Sequence, residues 1–178
     1  ARRAHHGRRQ GHGAALSLAP HFVQNAAAWA AATPLAQALR DDAWLYPVVE
    51  IVHIVGFTAL VGAAAMFDLR LLGCGRSLPV QALARHLLPW SWFGLLLIVP
   101  SGLLMFSTQP ELLDNDVFLL KLALVAAAGL NALAFHAGPW RSAARWPDAA
   151  PAWARLHAAL SLLLWIAVIA CGRLLAYV

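Results

Sequence analysis

Four long apolar blocks decide what this chain folds into. They are YPVVEIVHIVGFTALVGAAAMF over 46–67, LLPWSWFGLLLIVPSGLLMFS over 87–107, VFLLKLALVAAAGLNALAFHA over 117–137 and LHAALSLLLWIAVIACGRLLAY over 156–177. An α-helix rising 1.5 Å per residue needs roughly 20 residues to cross the hydrocarbon of a bilayer, and each block is close to that length. A soluble core has no need of such uninterrupted runs. Composition agrees: 61% of the 178 residues are hydrophobic and only 12% are charged, against about a quarter charged in a soluble domain. Trp44, Tyr46, Trp90, Trp92, Trp140, Trp153 and Tyr177 fall near the block ends, where an aromatic belt meets the membrane surface.

The connections are short, so neighbouring spans run antiparallel. The reading is an all-α fold: a transmembrane antiparallel four-helix bundle over 44–178, with an N-terminal interfacial helix. The preceding residues divide in two. Residues 1–13 read as a flexible basic tail, and its His5, His6 and His12 carry no metal assignment. Residues 14–43 are Ala-rich but broken by His21, Gln24, Asn25 and Pro34. A signal peptide is one reading of a basic stretch before an apolar one. An amphipathic interfacial helix fits better, with Phe22, Val23 and Trp29 facing lipid and Leu35 and Leu39 beyond a kink at Pro34.

The net charge of +5 is not a nucleic-acid footprint, because most of the basic residues lie in the tail and between the apolar blocks. Let the side where the first span begins be side A. Its loop, STQPELLDND, carries Glu111, Asp114 and Asp116 and no Lys or Arg, whereas the side B loops carry Arg70, Arg76, Arg85, Arg141, Arg145 and Arg155. The positive-inside rule puts side B in the cytoplasm of a bacterial inner membrane, with both termini periplasmic. Cys74 and Cys171 have no metal-ligand spacing and read as packing residues.

Ionisable residues inside a span are costly and usually face the bundle interior. On side A, Glu50 and His53 are three apart on the first span, Lys121 sits in the second turn of the third, and Arg173 in the last turn of the fourth. On side B, His86, His136 and His157 come from three helices at similar depth. Each has a plain alternative: solvation at the interface for the three histidines, snorkelling for Lys121 and Arg173, a paired structural carboxylate for Glu50. His53 is the hardest to dismiss, since it lies about 10 Å along the helix from Tyr46.

Inward histidines in a membrane four-helix bundle are the usual way to hold b-type haem. On side A His53 is the first candidate for the iron, with Lys121 as a possible second ligand and Glu50 and Arg173 in support; a bis-histidine pair at one depth would come from His86, His136 and His157 on side B. Lysine ligates only when neutral. Gly56, Ala59, Gly62 and Ala63 after His53, and Ala128, Gly129 and Ala132 on the third span, leave room for a macrocycle or for plain helix packing. No catalytic nucleophile stands out.

The pieces E-x-x-H in the first span, D-L-R-L-L-G after it, S-G-L-L-M-F in the second, F-x-x-K-L in the third and the terminal G-R-x-x-A-Y resemble a family of uncharacterised bacterial four-helix integral membrane proteins. The resemblance covers about residues 40–178. More distantly, the layout is similar to the HemJ-type protoporphyrinogen oxidases, haem-associated membrane proteins relying on a first-span histidine and a third-span lysine. That likeness implies such roles for His53 and Lys121. The layout is also similar to CopD-type copper-resistance membrane domains, although Met66 and Met105 are the only methionines and form no soft-ligand cluster. The functional expectation is a cytochrome-like protein in electron transfer or redox support. The alternatives are a HemJ-like porphyrin oxidase and a non-enzymatic subunit of a larger membrane complex.

Overall fold

The computed structural model describes residues 21–146 and 149–177. The basic tail and residues 14–20 of the following segment lie outside the described residues. Six α-helices follow in order: α1 (His21–Ala31), α2 (Pro34–Asp41), α3 (Leu45–Leu72), α4 (Val80–Thr108), α5 (Asp116–Ala137) and α6 (Ala152–Leu174). Short 3₁₀ turns at Pro110–Asp114 and Pro139–Arg145 flank α5. No strand occurs among the described residues.

α3 to α6 are each long and apolar enough to cross a membrane, and only 11% to 22% of each apolar window is buried within the chain. The remaining apolar surface must meet an apolar phase, because exposing it to water costs about 25 cal/mol per Å². Leu, Ile and Val side chains point outward along all four helices. The chain is therefore a multi-pass integral membrane protein whose spanning helices suit contact with lipid.

α3 and α4 are longer than their apolar blocks. α3 continues to Leu72 and α4 starts at Val80, where the sequence places the span limits at 67 and 87. DLRLL and VQALARH are polar enough for the interface yet contain good helix formers, so the helices run on. Gly73, at a φ of 113°, ends α3 in the left-handed region that glycine favours. Arg70 is buried: its Nε donates to the Leu78 carbonyl at 2.7 Å and an Nη to the Arg76 carbonyl at 3.1 Å, which fastens the connecting loop. Cys74, in that loop, is exposed rather than packed, while Cys171 is buried.

The N-terminal segment is two helices rather than one kinked helix. Thr33 caps α2 by accepting from Ala36 N–H, with Pro34 in the first turn. Both helices pack on the side A end of α4. Phe22, Trp29 and Leu35 are exposed, but Leu39 turns inward with Ala27 and Ala36. Arg40 stitches the corner, donating to the Ala31 carbonyl at 2.7 Å and the Ser107 carbonyl at 3.4 Å.

In the bundle, α3 packs against both α4 and α6, and α5 packs against α6. The α3–α4 crossing is the closest approach: a Cβ on Gly94 would fall 2.6 Å from the Gly56 carbonyl oxygen. Gly56 thus serves helix packing. Phe57 and Trp165 meet edge-to-face between α3 and α6. At side B, Leu71, Phe135, Ala150, Ala154 and Ala158 form the core. α4 and α5 behave differently, since no Cα of one comes within 8 Å of a Cα of the other. They are joined only at the ends. Phe106 stacks on Phe118 at side A with ring centroids 5.8 Å apart, and the Pro139–Arg145 turn meets α4 at side B. α4 and α5 thus make no close backbone approach along the bundle.

Candidate functional site

His53 lies half-buried on α3, at the α4 contact. Its Nδ1 is 3.0 Å from the Oγ of Ser101 on α4. Ser101 is buried, and its Oγ is also 2.5 Å from the Leu97 carbonyl oxygen. A hydroxyl has one proton. The short contact with Leu97 requires that proton to lie between the two oxygens, so Ser101 accepts from His53 and the imidazole proton sits on Nδ1. Nε2 then carries a bare lone pair, and no side chain among the described residues hydrogen-bonds it. Gly102 makes the space: a Cβ there would stand 3.1 Å from His53 Cε1. The second-span serine and glycine of S-G-L-L-M-F thus set the orientation of the histidine.

Lys121 is half-buried on α5, its Nζ 3.9 Å from where a Cβ on Gly172 of α6 would sit. The ammonium has no hydrogen-bond acceptor among the described residues and lies within electrostatic range of the His53 ring. His53 thus sits at the α3–α4 contact and Lys121 at the α5–α6 contact. Gly62 and Gly129, on α3 and α5, have no neighbour within 4 Å of a Cβ position.

The other expected members of this layer are placed differently. Glu50 is exposed, although still within electrostatic range of His53. Arg173 is exposed too, and donates to the Tyr177 hydroxyl at 2.6 Å with its guanidinium over that ring. The helix turn that places Arg173 at the right depth also points it outward.

On side B the three histidines do not form one cluster. His86 is exposed on α4. His136, also exposed, has Nδ1 at 2.8 Å from the Ala132 carbonyl, one turn back on its own helix. His157 is half-buried, with Nδ1 at 2.6 Å from Asn131 Oδ1, while Asn131 Nδ2 donates to the His157 carbonyl at 3.0 Å. That second bond fixes the amide orientation, so His157 also bears its proton on Nδ1. Among the described residues no group of three His, Cys, Asp or Glu is arranged to hold a metal ion.

Sequence reasoning missed three participants. Asn131 is not singled out in the third block, yet it clamps α5 to α6. Ser101 was visible only as part of a motif. Asp68 reads as the polar end of a span but is only 7% exposed, with its carboxyl directed at Ser161 of α6 and Oδ2 buried without a hydrogen bond.

These features define a class: a small α-helical membrane protein with a half-buried histidine at its α3–α4 contact and a half-buried lysine at its α5–α6 contact. Residues 15–178 match a family of unknown function, DUF6644, and the chain belongs to it. The match takes in α1 and α2, so the N-terminal pair is part of the family's fold and not an appendage to residues 40–178. No curated protein and no solved structure matches the chain.

Proposed function

We propose that this protein binds haem b, with His53 Nε2 as the iron ligand and neutral Lys121 Nζ as the second, and that it serves electron transfer or redox support in a bacterial inner membrane. The observation that carries this reading is the tautomer of His53. A metal-ligating histidine almost always donates its other ring N–H to an oxygen, which fixes ring orientation and raises ligand basicity. Ser101 supplies that oxygen, and no side chain among the described residues hydrogen-bonds Nε2. Bound haem would supply one-electron chemistry at the iron. The chain's own part is to orient the imidazole through Ser101, to clear space for it with Gly102, and to hold an amine on α5 within electrostatic range of the ring. The distant HemJ-type likeness of His53 and Lys121 points the same way.

Titration of haemin into the detergent-solubilised protein, followed by quenching of tryptophan fluorescence, tests the reading. Trp165 packs on Phe57 one turn from His53, so a bound porphyrin should quench it. The expected result is saturable quenching at one haem per chain that His53→Ala removes. Non-saturating quenching, equal in wild type and variant, indicates partition into the micelle and rejects the site.

The charge asymmetry of the loops supports an orientation with side B in the cytoplasm and α1 and α2 at the outer surface.

A further inference from the structure

A cleft of about 390 Å³ opens at side A between α2, the start of α3 and the end of α4. We propose that it seats a phosphodiester bearing a primary ammonium, the headgroup of an ethanolamine-type phospholipid. The inference is independent of the haem reading.

The polar groups on its rim are Arg40, Asp42, Tyr46 and Gln109. A guanidinium has five N–H donors, and Arg40 uses them only on the Ala31 and Ser107 carbonyls, with no carboxylate partner among the described residues. Tyr46 accepts from Gln109 Nε2 at 3.4 Å, which leaves its own O–H to donate. These donors suit phosphate oxygens, and arginine matches phosphate in geometry as well as charge. Asp42 stands on the same rim. Its Oδ1 accepts from the N–H groups of Trp44 and Leu45 at 2.7 and 3.1 Å, capping α3. Its Oδ2 has no partner among the described residues.

A plain phosphate would meet repulsion from Asp42, and a plain cation repulsion from Arg40. A zwitterion with both charges a few bonds apart satisfies the two residues together. A choline head cannot donate to Asp42 Oδ2, and a glycerol head brings no positive charge. The depth is right for a headgroup, since Tyr46 lies in the first turn of a spanning helix and Gln109 caps the end of another. Leu39, Ala43 and Pro47 give the cleft an apolar wall for the glycerol backbone, and Trp44 beside it is 78% exposed.

Native mass spectrometry of the full chain, offered equal amounts of phosphatidylethanolamine, phosphatidylcholine and phosphatidylglycerol, tests the proposal. One phosphatidylethanolamine should be retained in about tenfold preference, a difference of about 1.4 kcal/mol. Asp42→Asn keeps an oxygen to cap α3 and should erase the preference over phosphatidylcholine. Arg40→Gln should release all three lipids if it folds. Free phosphoethanolamine is the competing source. If it displaces the lipid at concentrations matching the lipid's own, the ligand is the soluble zwitterion; if it does so only at far higher concentration, the acyl-bearing form is the ligand. Equal retention of the three lipids, or an Asp42→Asn protein that still prefers phosphatidylethanolamine, overturns the proposal.

Discussion

A serine hydroxyl has one proton to give, and at Ser101 the Leu97 carbonyl takes it. That single bond decides which nitrogen of His53 is free, so Ser101→Ala tests the geometry without touching the ligand atom. Loss of such an outer partner typically lowers metal affinity 10–100-fold, and the haemin titration should show a fall of about that size. Asp68 poses the opposite case. A buried polar atom left unsatisfied costs about 1–3 kcal/mol, and Asp68 Oδ2 is such an atom. Replacing both partners, Asp68→Ala with Ser161→Ala, should therefore leave unfolding at equal or higher denaturant in a mild-detergent SDS titration. A marked loss of stability would mean that a bound cation or water satisfies the carboxylate in the membrane. At this scale the sequence was informative about depth and poor about direction. It assigned His53, Lys121, Glu50 and Arg173 to one level by residue count, but Arg173 turns to Tyr177 and Glu50 is exposed. One spanning helix has residues on every side, and periodicity reports little where the helix is apolar all round.

Helices meet in a membrane by close packing rather than by a hydrophobic drive, so small residues mark where two backbones touch. Gly56 and Gly94 do this for α3 and α4. A Cβ on Gly94 would also stand 2.7 Å from the Leu60 nitrogen, where neither neighbour is a flexible side-chain tip. Gly94→Ala should destabilise the bundle by about 1–3 kcal/mol, the usual cost of overpacking. Gly62→Ala, with open space around the new methyl, is the control and should leave unfolding unchanged. The four spans were legible because their length and apolarity are imposed by the bilayer. Their ends were not, because amphipathic residues such as those of VQALARH continue a helix past the hydrocarbon. The break at Thr33 was visible as Pro34, but the inward turn of Leu39 depends on packing against α4 and leaves no local trace.

The whole molecule is asymmetric in two ways. Its bundle is closed on the α3–α4, α3–α6 and α5–α6 faces and parted between α4 and α5, and its basic loops lie at one end. The second asymmetry gives a topology test with a native probe. Cys74 is exposed in the side B loop, whereas Cys171 is buried. A membrane-impermeant maleimide should label Cys74 in inverted vesicles and leave it unlabelled in intact cells; the reverse pattern would put side B outside. The parting of α4 from α5 had no sequence signature, because it is a property of which helices pack together, and connection lengths alone predict a closed ring.

The central claim is that these two residues hold haem, and the absorption spectrum of the protein purified from haem-replete cells tests it most directly. A Soret band and reduced-minus-oxidised α-band should appear in wild type, vanish in His53→Ala and change shape in Lys121→Ala. A colourless wild-type protein, or a spectrum that neither substitution alters, contradicts the account.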